Sequence, residues 1–346
     1  MLRRAVCALC TIFCVLLAAF SPVLVEKLPA PPEGLTSRPY EGWSGVVRLQ
    51  VYQGFKSGTG SIVPWLNECL SAFEKRNSGV YIHVETVSSA ALLRYQDSPR
   101  PDMLIFTPGA LKDVQGLIAQ ESEGLIDALC EACMVGETQY ATPLCYGGYG
   151  LLINSDLMAE LPGDWQQALE SVYSAPTRRK SGTYALQVPG EARWAEVTAE
   201  MLGGLPTAGE LLPDDYLECT VTQAWADFKQ GMVACIPASQ WQLRQIALLD
   251  AEGTAPPWKF YPSQIGYTDQ YFAAAIVDTG LEDAQARADV CREVVAYLAS
   301  EDAQSRLDMA LMLPAREDMR LYVSGGDMTA LETAYLGSAE FEALFD

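Results

Sequence analysis

Five aromatic residues and one acid stand out as groups that could hold a ligand. Tyr146 and Tyr149 sit in TPLCYGGYGLLIN, a stretch with no charge from Tyr140 to Ser155. Trp241 follows the apolar run VACIPAS, where a strand ends and a helix begins. Tyr267 and Tyr271 flank Asp269 in YTDQY. Rings in a cleft stack on sugar faces or enclose cations, and their polar tips hydrogen-bond. Core packing is the commoner role for any single ring. Trp241 is the strongest candidate, because ligands of open α/β sheets sit outside the carboxyl ends of the strands. Asp269 could pair with a ligand hydroxyl or amine; its alternative is a solvated loop acid.

A second candidate is the loop QGFKSGTGS, with Gln53, Phe55 and Lys56. It follows a strand and opens a helix, the setting in which helix N-termini hold anions. It matches neither G-x-x-x-x-G-K-[ST] nor G-x-G-x-x-G, so nucleotide binding is not indicated. A plain connection is the competing reading.

Catalytic and metal chemistry find less support. The single histidine, His83, lies mid-strand in YIHVETV and reads as structural. The 44 acidic residues include no pair that context marks as a glycosidase dyad, and no enzymatic activity is expected. Cys130-x-x-Cys133 is a half-site without a second CxxC, so zinc would need two further ligands. Small buried hydrophobes, with one local disulfide at most, is the simpler reading. No metal or cofactor is expected.

These groups need a scaffold of some size. The chain has 346 residues, more than one small core holds, and two lobes are expected. Its composition, 49% hydrophobic and 19% charged, is globular. The net charge of -21 argues against nucleic-acid partners, which require clustered Lys and Arg. Arg3 and Arg4 precede 21 uncharged residues, Ala5 to Val25. This is an export signal over 1–27, either cleaved or retained as an apolar anchoring helix. The rest of the chain is then expected outside the cytoplasm, surface-tethered or secreted. Residues 28–45, rich in Pro and Gly, read as a tether. Seven cysteines follow the apolar run, an odd number that leaves at least one thiol free or bonded to another chain.

The folded part alternates. Strands are expected at Val46–Tyr52, Val80–Val87 and Pro101–Phe106, with helices at 62–75 and 90–95 between them. After residue 160 the pattern resumes, with helices at 164–173, 192–202, 220–230 and 240–249 and strands at 184–188 and 232–238. A strand at 265–277 and helices at 283–298 and 302–312 follow. Two α/β blocks, about 46–150 and 155–262, result.

Three stretches now carry a resemblance. WLNECLSAFEKRNSGVYIHVETV pairs a helix ending in FEK with a strand. YATPLCYGGYGLLINSDLM fits the pattern P-x-x-x-G-x-x-x-L-x-x-N. FKQGMVACIPASQW and VVAYLASEDAQSRLDMALMLPARED add a late helix pair ending in LP-x-R. Their order across 46–320 resembles the extracellular solute-binding proteins, family 1, of ABC importers. The resemblance implies a type 2 periplasmic-binding-protein fold, in which two α/β lobes joined by hinge strands close over a ligand. Lobe 1 is expected at 46–150 with 266–313, and lobe 2 at 151–265 with 314–346. TPLCYGGYG would be the first crossing, and Asn154-Ser155-Asp156 would cap the first helix of lobe 2. The implied partners are a small solute, a carbohydrate among the candidates, and a membrane permease, with the protein a monomer. A sensory or accessory protein of the same fold that signals to a membrane partner is the alternative, with an exported hydrolase as the third reading. YQGFKSGTGS departs from the Trp-containing loop of many sugar binders, and no lipidated Cys opens the mature chain.

Overall fold

The computed structural model describes residues 38–39, 43–54, 61–96, 99–161, 184–190, 192–203, 216–263, 270–319, 341 and 343–345. The apolar run at 5–25, the expected helix at 164–173, and Phe55, Lys56, Tyr267 and Asp269 lie outside them. Among the described residues no helix is long and apolar enough to cross a membrane.

Alternation builds the first strand, β1 (Gly45–Tyr52): Val47, Leu49 and Val51 are buried, whereas Val46 and Arg48 are exposed. Helix α1 (Val63–Arg76) starts with a proline in its first turn and ends on Lys75 and Arg76, both favourable placements. It buries Trp65, Leu66, Cys69, Leu70 and Phe73. Strand β2 (Val80–Val87) pairs in parallel with β1. The segment after it forms only a 3-10 turn, Ala90–Leu92, in place of the expected helix at 90–95. Strand β3 (Met103–Phe106) is buried on both faces, as expected for a parallel strand covered from both sides. Helix α2 (Asp127–Ala132) leads to β4 (Thr142–Tyr146).

Gly147 and Gly148 separate β4 from β5 (Tyr149–Asn154), which enters a second sheet. That sheet also holds β6 (Tyr184–Pro189), β7 (Tyr216–Cys219) and β8 (Val233–Ser239). Helices α3 (Ala192–Met201), α4 (Val221–Lys229) and α5 (Gln240–Ala251) alternate with them, and β9 (Trp258–Pro262) completes the sheet. The chain then returns through β10 (Tyr271–Val277) to the first sheet, followed by α6 (Ala284–Leu298) and β11 (Leu313–Pro314). The first sheet runs β11-β4-β10-β3-β1-β2, with Leu117–Ile118 also on β10; the second runs β7-β6-β8-β5-β9.

Three apolar clusters hold this arrangement. One fills lobe 1 between its sheet and helices α1 and α6. One lies within lobe 2 around Leu151, Ile153, Val188 and Trp194. The third covers the other face of the lobe 1 sheet and continues into lobe 2 through Leu152, Phe228, Ile236 and Leu243.

Several expectations change. Tyr149 and Gly150, assigned to lobe 1, pair with Ser239 and Ala238 and belong to the lobe 2 sheet. Segment 314–346, assigned to lobe 2, has its described residues on lobe 1. Pro314 pairs with Cys145, Leu111 bridges Phe345, and Leu344 N donates to Ala132 O at 2.9 Å. The apolar side chains of Phe341, Leu344 and Phe345 are buried there. Within 302–312 only Glu301–Gln304 and a 3-10 turn at Leu307–Met309 are helical. Asn154 ends its strand in a turn, its Oδ1 accepting from Asp156 N at 3.0 Å.

Candidate functional site

Strand register places the site. In lobe 1, β1 and β2 run parallel and end together at Tyr52 and Val87; β3, parallel to β1, ends at Phe106. Phe106 lies opposite Ala273, near the start of β10, and Tyr271 lies opposite Tyr146, where β4 ends. In lobe 2, β6, β7 and β8 run parallel and end near Pro189, Cys219 and Ser239. Ser239 lies opposite Tyr149, directly after the crossing. The carboxyl edges of both parallel sets therefore meet at the Gly147-Gly148 crossing. This is where open α/β sheets place ligands.

The floor of this junction is polar and buried. Gln240, the first residue of α5, is 0% exposed. Its Oε1 accepts from Gly148 N at 3.0 Å, its own N donates to Gly148 O at 3.0 Å, and its Nε2 reaches Met312 Sδ at 3.2 Å. One turn later Arg244, 1% exposed, donates from Nη1 to Leu307 O at 3.3 Å. Two residues of a lobe 2 helix thus bond to the crossing and to lobe 1. Gly147 N donates to Gln270 O at 2.6 Å, which ties the outgoing crossing to the return. A Cβ at Gly147 would run into the Gln240 amide, which is held there by its bonds to Gly148 N and Met312 Sδ.

Trp241 stands beside this floor, in the first turn of α5. Ser239 caps the helix: its Oγ accepts from Trp241 N at 3.3 Å, and Gln242 Oε1 accepts from Ser239 N at 2.9 Å. The Trp241 ring is half-buried and meets Trp225 of α4 edge-on, centroids 5.9 Å apart. Phe228 stacks on Trp225, and Lys229 Nζ lies 5.4 Å from the Trp225 centroid. Both α4 and α5 start at the carboxyl edge of lobe 2, so this aromatic group borders the junction. On the lobe 1 side Tyr52, half-buried, ends β1. A Cβ at Gly54 would run into the Thr107 hydroxyl, just after β3.

The other sequence candidates are placed differently. Gln53 Oε1 accepts from Ile62 N at 3.0 Å, so this side chain closes the base of the loop that precedes α1. Tyr146, 2% exposed, and its cross-strand partner Tyr271 both meet Phe341 edge-on, at 5.7 and 5.8 Å. Their rings lie under the C-terminal segment. Tyr149, 4% exposed, meets Trp194 of α3 edge-on at 5.4 Å and belongs to the lobe 2 core. Of the candidates within the described residues, Trp241 alone borders the junction with its ring partly open. Sequence reading missed Gln240, Arg244, Trp225 and Tyr52. The only signal for Gln240 was a long polar side chain directly after VACIPAS.

His83 is exposed on the edge strand. Cys130 and Cys133 are free thiols. Burial pushes Cys130 up to about 11 and Cys133 well above the ordinary thiol range. Among the described residues no three His, Cys, Asp or Glu side chains stand together as metal ligands do. A cavity of about 840 Å³ lies away from the junction, beside Thr142 at the far end of β4. Its wall is a satisfied chain in which Gln139 donates to Ser122, Ser122 to Thr142 and Thr142 to Gln120.

No protein-family model matches the chain, and no curated protein sequence does. Solved structures do. The GacH receptor of Streptomyces glaucescens GLA.O, solved unliganded and with acarbose, aligns at a TM-score of 0.63 and 14% identity over 88% of this chain and 89% of that one. The sugar-binding protein MalE of Xanthomonas citri aligns at 0.62 and 15% identity over 87% of each. The galacto-N-biose-/lacto-N-biose I-binding protein of a Bifidobacterium longum ABC transporter, solved with lacto-N-biose, aligns at 0.60 and 13% identity over 87% of each. The fold is therefore the two-lobed type 2 periplasmic-binding-protein fold.

Proposed function

We propose that the protein is an extracytoplasmic receptor for a small solute, held between its lobes and passed to an ABC importer permease. The observation that carries this reading is the junction: two carboxyl edges face one another across a glycine crossing, with the Trp225–Trp241 group on its border. A ligand held there touches both lobes, and its binding energy favours the closed arrangement. Aromatic rings flanked by amide and hydroxyl groups suit a carbohydrate, whose ring faces are apolar and whose rims are polar. The fold alone hosts many functions, so the site and not the likeness bears the weight.

A thermal-shift screen of the purified protein against mono- and oligosaccharides, polyamines and amino acids tests the reading. A ligand at a hundred times its dissociation constant stabilises the fold by about 2.7 kcal/mol. The expected result is a carbohydrate hit that Trp241→Ala weakens at least tenfold while the ligand-free midpoint stays within a few degrees. A full response retained in Trp241→Ala, or no response to any compound, would overturn it.

A further inference from the structure

The chain carries 44 acidic against 23 basic residues, and five arginines among the described residues pair with acids. Arg76 pairs with Asp302, Arg287 with Asp102 and Asp283, Arg292 with Asp289, Arg306 with Glu68 and Asp302, and Arg316 with Asp318. Three others line one cavity. Arg48 on β1 and His83 on β2 are cross-strand partners, so their side chains leave the same face of the sheet. Two residues on, Gln50 lies opposite Glu85 and donates to its Oε2 at 2.8 Å. The chain then returns over this face. Arg94 N donates to Gln50 Oε1 at 3.1 Å, and backbone carbonyls hold the Arg100 guanidinium, with Nη1 donating to Asp278 O at 2.9 Å and Nε to Gln96 O at 3.3 Å. Arg48, Gln50, His83, Glu85, Arg94 and Arg100 line a cavity of about 90 Å³. Among the described residues no carboxylate pairs with Arg48, Arg94 or Arg100. Glu85, the one carboxylate in the wall, already accepts from Gln50.

We propose that this cavity binds a single tetrahedral oxyanion, a phosphate or sulfate group. Guanidinium forks match such oxygens bidentately, and those of Arg48 and Arg94, without internal carboxylates, leave their charge to an external anion. In a chain of net charge -21, three arginines and the only histidine lining one cavity make a local reversal of sign. The volume separates this site from a solute cleft, which spans about 300–1,000 Å³. Arg48 lies four residues before the junction end of β1, and β1 and β2 stand at the edge of the sheet away from β4, so the anion would sit on lobe 1 and not in the junction. The anion could be free in solution or carried as a phosphomonoester on a lipid headgroup; the chemistry recognised is the same.

The test is calorimetric titration of the full chain with inorganic phosphate, at ionic strength held constant with chloride. Vesicles of phosphatidylcholine with and without phosphatidic acid provide a second arm. The expected result is saturable one-to-one binding, weakened at least tenfold in Arg48→Gln/Arg94→Gln and strengthened in Glu85→Gln. Binding to phosphatidic-acid vesicles that free phosphate does not reproduce, lost in the same double variant, would assign the lipid source. Arg48→Lys, which keeps the charge and loses the fork, should fall between. Linear, unsaturable heats, binding unchanged in the double variant, or silence in both arms would overturn the proposal.

Discussion

Gly147→Ala should disrupt the joint between the lobes, and the size of the effect follows from one side chain. A Cβ at position 147 would stand 2.5 Å from Gln240 Nε2 and closer still to its Cδ and Oε1. These atoms end a flexible side chain, so the clash alone could be relieved by rotation. Rotation, however, withdraws the acceptor from Gly148 N and the amide from Met312, at a residue 0% exposed. Each buried polar group left unpaired costs about 1–3 kcal/mol. Gly147→Ala should therefore destabilise by about 2–4 kcal/mol. Gln240→Ala removes the same bond and leaves Gly148 N without its acceptor, for about 1–3 kcal/mol. In the double variant the methyl group at 147 meets no amide, so its cost should match Gln240→Ala alone. Urea titrations of the four proteins, compared at equal slope, give the cycle. The expected coupling equals the cost of Gly147→Ala alone, about 2–4 kcal/mol; effects that add to within about 0.5 kcal/mol would refute the steric account.

Acid should weaken the fold through surface carboxylates held by arginine. Arg287 and the Trp43 indole lower Asp283 below its ordinary 3.8, and Arg306 and Arg76 lower Asp302. Such groups stabilise above the unfolded value, and the contribution is lost as pH falls through the folded one. The urea midpoint should thus drop between about pH 4 and pH 2, and drop less in Asp302→Asn; parallel decline in both would exclude this pair as a cause. The thiols should resist alkylation. With Cys130 pushed up to about 11 and Cys133 higher, both by burial first, thiolate is scarce at neutral pH. Iodoacetamide should label them at least a hundredfold more slowly in the native protein than in urea, and fast native labelling of Cys133 would contradict its burial.

Most elements could be read from the sequence because period and burial agree in them. In VVRLQVY every second side chain enters the core until the final run, and LNECLSAF repeats apolar residues at helical spacing. Failures came where parity or distance broke. The glycine pair between β4 and β5 lets the strand restart, so Tyr146 and Tyr149 cannot be assigned a face by counting; each turned to a different core. Gln240 and Arg244 look like solvated helix residues, yet both are buried, because what covers them is a segment 63 to 72 residues later. The basic cavity was equally hidden. Arg48, His83, Arg94 and Arg100 span 53 positions, and only the pairing of β1 with β2 brings the first two together.

The same residues define what a closing motion can bend. On the lobe 1 side the ends of the two crossing strands are paired, Tyr146 opposite Tyr271, and Phe341 meets both rings edge-on. On the lobe 2 side Tyr149 is fixed between Ser239 of the sheet and Trp194 of the core. Rigid packing at both ends leaves Gly147 and Gly148 as the soft positions of the outgoing crossing. Gln240 bonds Gly148 through both its backbone and its side chain, so α5 must turn with the crossing. Trp241, next in that helix, is carried along with it. If a solute draws the lobes together as proposed, Trp241 moves as part of the joint. Substitutions at Gly147 or Gln240 should then change ligand affinity without touching the ligand, and Trp241→Ala should change it while leaving the joint in place.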